Sequence, residues 1–141
     1  MAEPAGYEYF DVEADVGVHA WGTSRAGAFA QAALGVLALT VAPDGVRARE
    51  TREVRAQGDG PETLLVNWIN ECLYVHEIEG FAVQRVDVDT LSDAVIHGVL
   101  HGEPIDHTRH QPGTVVKAAT LHGVSVTEVS GVQNVRLVVD V

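Results

Sequence analysis

From Phe81 to Val141 the chain offers no helical periodicity, only strand-like runs. They are Phe81 to Asp89, Ala94 to His101, Thr114 to His122, Val124 to Val129 and Val132 to Val141. Turn signals separate them at Leu91-Ser92-Asp93, Pro104 to Gly113, His122-Gly123 and Ser130-Gly131. Strands that follow one another without an intervening helix pair largely antiparallel, because a parallel pair needs a long crossover. This half of the chain therefore dictates a sheet, and the other half must cover it.

The first half supplies the cover. Tyr7 to Val12 and Val16 to Trp21 read as two short strands, with Glu13-Ala14-Asp15 between them. Thr23 or Ser24 can cap a helix from Arg25 to about Thr40, whose Phe29, Ala33, Val36 or Leu37, and Thr40 keep the spacing of one buried face. Val46 to Gln57 alternates charged and small residues, as a strand with one wet face, at an edge. Asp59 and Glu62 stand three apart like a capping box, with Pro61 tolerated in the first turn. The helix they open runs to about His76, carrying Leu64, Leu65, Trp68, Ile69, Cys72 and Leu73 as a broad apolar stripe. The order β-β-α-β-α-β-β-β-β-β predicts an α+β fold: a largely antiparallel β-sheet with two α-helices packed on one face. At 141 residues, with no repeat or linker, it reads as one domain over 1–141.

Charge narrows the function. The formal net charge is −11, from 9 Lys+Arg against 20 Asp+Glu. That disfavours direct nucleic-acid binding, which depends on cations neutralising phosphates. It suits a cation binder or a protein that docks on a basic partner, and solubility alone would also explain it. Cys72 is the single cysteine, so no intrachain disulfide and no cysteine zinc cluster can form. Met1 to Gly6 has no basic or apolar leader pattern, and no apolar run reaches the ~18 residues of a membrane span. A cytoplasmic protein without membrane contact is expected.

Three groups of residues could carry chemistry. The chain ends Val138-Val139-Asp140-Val141, an apolar strand running to the last residue, which implies that the tail is tied into the sheet. The Val141 carboxylate would then lie beside Asp140, and two neighbouring anions call for a cation or a proton. Asp15, near a strand end, could add a third oxygen. Oxygen-only ligands select a hard divalent metal, Ca²⁺, Mg²⁺ or Mn²⁺, over zinc; solvated strand-end carboxylates are the plainer explanation. Lys117 interrupts the apolar run Val115 to Ala119, either as an edge guard or as a cation facing a carboxylate cluster or phosphate. Five of seven histidines fall between His97 and His122, and His107 with His110 would suit zinc only weakly, lying in a loop without cysteine partners. No Ser-His-Asp order, Walker loop or dinucleotide motif appears.

Taken together, these motifs resemble the archease family along nearly the whole chain. Ala14-Asp15-Val16-Gly17 and Trp21-Gly22 open the match, and Leu64 to Glu71 is similar to the family's second helix. Gly102-Glu103-Pro104-Ile105-Asp106, His110 and Val116-Lys117-Ala118-Ala119-Thr120 resemble its central signature, and Val139-Asp140-Val141 its ending. Two departures stand out. Val12-Glu13 occupies the place of the family's usual His-Thr, and Leu121 that of a Tyr before His122. Glu13 could add a metal oxygen or be a solvated surface residue.

The resemblance implies a non-catalytic accessory protein that promotes guanylylation and multiple turnover of a GTP-dependent RNA-splicing ligase. Such a ligase joins RNA ends bearing a 3′-phosphate or 2′,3′-cyclic phosphate, in tRNA splicing and RNA repair. By the same resemblance Asp15, Asp140 and the Val141 carboxylate hold a divalent metal with Lys117 beside them. GTP and Mn²⁺ are the ligase's own cofactors. Two other classes are open: a chaperone-like modulator of RNA-modifying enzymes, and a small metal-dependent phosphoesterase built on His107, His110 and the carboxylates.

Overall fold

Among the described residues, seven strands and two long helices follow one another in the expected order, and all strand pairings are antiparallel. The computed structural model describes residues 4–141; Met1 to Glu3, part of the stretch read as carrying no leader, lie outside the described residues. The strands are β1 (Gly6–Val12), β2 (Asp15–Gly22), β3 (Glu50–Gln57), β4 (Phe81–Leu91), β5 (Val95–Pro104), β6 (Ala118–Val129) and β7 (Val132–Asp140). The helices are α1 (Arg25–Thr40) and α2 (Pro61–Ile78). The two runs expected as separate strands around Gly123 form the single strand β6. Its pairing with β7 slips between Thr120 and Ser125, and Gly123 takes a left-handed φ of 69° within the slip.

The single sheet expected from the pattern resolves into two: β1-β2-β7-β6, and β3-β5-β4. Each helix touches both. α1 packs on β2 and β7 of the first sheet and on β4 of the second, while α2 packs on β6 and on β3, β4 and β5. This corrects the expectation of one buried face for α1. Ala28, Ala32 and Ala33 are as buried as Phe29 and Val36, and none of its residues is exposed. Small side chains let sheets approach a helix from two sides, which is why its sequence is so rich in alanine. The indole of Trp68 on α2 donates to the Phe29 carbonyl of α1 at 3.0 Å, joining the helices in the core.

Helix ends differ in how they are secured. Ser24 caps α1, its Oγ accepting from the Gly27 N–H at 3.0 Å. The capping box expected at Asp59 does not form: α2 begins one residue later, with Gly60 at φ 142° before Pro61, and no side chain caps it. At the far end of α1, Gly113 N–H donates to the Thr40 carbonyl at 2.8 Å and Thr114 N–H to the Leu39 carbonyl at 2.7 Å. A side chain at residue 113 would meet Leu39 O at 2.3 Å, so only glycine permits this approach. β3 starts at Glu50 rather than Val46, because Pro43–Gly45 forms a 3-10 turn and the Arg47 N–H is drawn to Glu103 instead of a ladder partner. No helix among the described residues is long and apolar enough to cross a membrane.

Candidate functional site

β7 lies between β2 and β6, so the last residues of the chain have neighbours on both sides. Val16 stands opposite Val139 on one side and Ala119 opposite Val139 on the other. Continuing the first register by one step sets Asp15 across from Asp140; in the second, Ala118 is opposite Asp140. Val139 and Ala119 are buried and Val16 packs against the same core. Alternation along each strand therefore turns Asp15 and Asp140 together to the outer face. Both are half-buried.

Lys117 sits one residue before β6, and its N–H donates to the Asp140 carbonyl at 2.9 Å. Its side chain is exposed, which differs from the reading of Lys117 as a residue inside a strand. Val141 is half-buried and packs against the core, fastening the end of β7. Glu13 is exposed in the two-residue turn between β1 and β2, at φ 39°, a backbone conformation uncommon outside glycine. The register thus unites Asp15, Asp140, Val141 and the backbone of Lys117 at one end of the four-stranded sheet.

Asn70, on α2, holds that end in position. Its Oδ1 accepts from the Ala119 N–H at 2.7 Å and its Nδ2 donates to the Ala119 carbonyl at 3.3 Å, so the amide takes the place of a neighbouring strand. One turn earlier, Asn67 Nδ2 donates to the Gln57 carbonyl at 2.6 Å on the other sheet. Sequence reasoning gave neither residue a role. The signal was there, in two amides spaced by three along an apolar stripe.

Among the described residues, none of the ion pairs involves Asp15, Asp140 or Lys117. Like charges directly opposite on neighbouring strands repel, so the Asp15–Asp140 pair favours a cation. The donors are oxygens alone, which fits a hard divalent ion that retains several waters. Among the described residues no three His, Cys, Asp or Glu side chains are grouped for a metal, so further ligands would be main-chain or Val141 oxygens.

The histidine motif has a different character. Glu103 is 2% exposed and His110 3%. Glu103 Oε2 accepts from Arg47 N–H at 2.8 Å and meets His110 Nε2 at 3.0 Å; its Oε1 accepts from Arg109 Nη2 at 2.7 Å. His110 Nδ1 accepts from the Asp106 N–H at 2.9 Å, so the ring is neutral there and its Nε2–H donates to Glu103. Burial pushes the Glu103 carboxyl up, but the hydrogen bonds from Arg47, Arg109 and His110 and the charge of Arg109 outweigh it and hold the pKa at about 2.

Both nitrogens of His110 are occupied within the protein, and His107 is exposed. The zinc and phosphoesterase readings of this pair therefore lose their ligand and their base. The other three histidines between residues 97 and 122 are dispersed: His97 and His101 project from β5 on the second sheet, and His122 is exposed on β6.

Residues 7–141 match the family model described as the Archease protein family (MTH1598/TM1083). The chain belongs to the archease family. Protein archease of Pyrobaculum neutrophilum is 34% identical over 143 residues, covering 99% of this chain and 97% of the relative. Protein archease of Pyrococcus abyssi is 31% identical over 123 residues, covering 85% and 87%. The solution structure of Methanobacterium thermoautotrophicum protein 1598 superposes with a TM-score of 0.79 at 29% identity, covering 96% of this chain and 99% of that one. A Thermotoga maritima crystal structure, described as an archease and possible chaperone, shares the fold with a TM-score of 0.64 at 18% identity, covering 100% and 98%. The archease fold accordingly accounts for both sheets and both helices.

Proposed function

We propose that this chain is a non-catalytic accessory protein that promotes guanylylation and repeated turnover of a GTP-dependent RNA 3′-phosphate ligase. Membership of the archease family supports an accessory role, and the Thermotoga relative is itself described as a possible chaperone. The observation that carries the more specific reading is the sheet end where Asp15 opposes Asp140 and the backbone of Lys117 is bonded to Asp140. Asp15, Asp140 and the oxygens of Val141 would hold a divalent cation, Ca²⁺ in the first instance.

When bound, that cation supplies positive charge against a phosphate in the ligase's nucleotide site. The chain's own contribution is positional. Asp15 and Asp140 are fixed by the β2–β7 register, and Asn70 and the Asp140 carbonyl fix the backbone on either side of Lys117. An ammonium carried on that fixed backbone can reach a phosphoryl oxygen and neutralise charge developing on it during guanylyl transfer.

The test is ligase guanylylation with Asp15→Ala, Lys117→Ala and Asp140→Ala, together with calorimetric Ca²⁺ titration of each. All three variants are expected to lose stimulation, and the two aspartate variants to lose Ca²⁺ binding. Undiminished stimulation by all three would falsify the assignment. A chaperone-like action is the competing reading, and it predicts stimulation that is indifferent to metal.

A further inference from the structure

A cavity of about 310 Å³ opens between the C-terminal ends of α1 and α2 and the loop of residues 105–116. Val41, Leu73, Ile105 and Val116 form apolar walls, and Glu77 lies at its lining. Its walls are fixed in place. Gly113 and Thr114 are bonded to the end of α1, Ile105 N–H donates to the Gly80 carbonyl at 2.8 Å, and the Glu103–Arg109–His110 network secures the loop from below. Yet Val115, on the same lining and between these anchors and Lys117, is 77% exposed. A rigid loop that presents a bare valine beside a preformed apolar cavity meets the requirements of an interaction site, because neither the loop nor the pocket has to order itself on binding.

The lining chemistry selects the occupant. A phosphate or nucleotide is disfavoured: Glu77 brings negative charge, both ring nitrogens of His110 are engaged, and His76 Nδ1 is bonded to the Phe81 carbonyl at 2.9 Å, which leaves His107 as the one lining imidazole without such a bond among those described. The volume lies at the lower limit of the about 300–1,000 Å³ usual for small-molecule sites, a size that suits one or two side chains. A chain of net charge −11 attracts a basic surface.

We propose that this cavity receives an aliphatic or aromatic side chain from a partner protein, flanked there by a lysine or arginine that faces Glu77. The partner is the ligase, so the inference rests on the function proposed above. The cavity shares its loop with Lys117, and an anchor seated in it fixes how the Asp15–Asp140 end meets the ligase.

The experiment measures direct binding of fluorescently labelled chain to the ligase of the same organism, alongside guanylylation as a function of chain concentration. Val115→Glu is expected to weaken binding by roughly tenfold or more, and Glu77→Lys by a smaller, salt-dependent factor. Half-maximal stimulation of guanylylation shifts to higher chain concentration in both variants, in step with the loss of binding. Val129→Glu alters another exposed valine, 61% exposed at the β6–β7 turn, and leaves binding unchanged. Because Val115 is already in water, Val115→Glu folds normally, which circular dichroism verifies.

Equal affinity of the parent and Val115→Glu overturns the docking site alone. Normal binding without any stimulation overturns the proposed function alone. A parent chain that does not bind the ligase overturns both.

Discussion

Two polar motifs of this archease behave in opposite ways. At Glu103, Arg109 and His110, every charged or ring group is engaged within the protein, and the carboxylate is almost fully out of water. At Asp15, Asp140 and Lys117, main-chain groups are paired while none of the ion pairs among the described residues uses a side chain of the three. Buried polar groups must be satisfied internally or the fold loses stability, whereas half-exposed ones can wait for an external partner. The first motif is satisfied from within, and the second keeps its side chains outside every ion pair among the described residues, although both stand out equally in the sequence.

The sharpest way to break this contrast is Glu103→Ala. It leaves the Arg47 N–H, Arg109 Nη2 and His110 Nε2 without their acceptor and is expected to cost roughly 3 kcal/mol of stability, read from the urea midpoint. If the loss is below about 1 kcal/mol, the network is not structural. Asn70→Ala comes next. It removes both hydrogen bonds to Ala119 and should cost about 1–2 kcal/mol, and it should reduce ligase stimulation even though Asn70 meets no substrate. Asn70→Asp, which keeps only the acceptor, should fall between.

Acidity separates the motifs further. The Glu103 pKa is lowered from 4.5 to about 2, so its contribution is present above pH 4.5 and is lost as pH falls toward 2. Thermal midpoints should decline over that window in the parent and decline less in Glu103→Gln. His97 gives the opposite limb. Its Nδ1 faces Asp89 at 2.6 Å and its Nε2 faces Glu53 at 3.1 Å, an arrangement complete only when both nitrogens are protonated.

The Asp89 hydrogen bond is the main cause raising the His97 pKa above 6.5, with Glu53 adding and burial and Arg55 opposing. This contribution is present below pH 6.5 and disappears as pH rises through the folded value. His97→Gln should flatten that decline. The smallest effect on stability belongs to Asp140→Ala, within about 0.5 kcal/mol of the parent. Calcium affinity should nevertheless fall by about tenfold or more, and a variant with intact affinity would return Asp140 to the scaffold.

Sequence patterning read the local elements well. The stripe from Leu64 to Leu73 marked α2, and alternation marked β4 to β7. Partner choice between strands is a non-local property, which is why two sheets looked like one and why α1 seemed to need only a single apolar face. The cap of α2 was misread because Pro61 shifts the start by one residue, and Gly60 fills the position that Asp59 would otherwise take. At the site, running an apolar strand to Val141 correctly implied that the tail is paired. The burial of Glu103 was hidden, since Gly-Glu-Pro reads as an exposed turn and its donors come from residues 47, 109 and 110.

The bonds from Gly113 and Thr114 to the end of α1 carry a consequence for synthesis. The final turn of the first helix is closed by amides that leave the ribosome about seventy residues after Thr40 does. A nascent chain ending before residue 113 can wind most of α1 but cannot seal it, and β7, which must pair beside β2, emerges later still. The last turn of the first helix is thus completed only by the downstream half, and a chain truncated before residue 113 would carry it frayed.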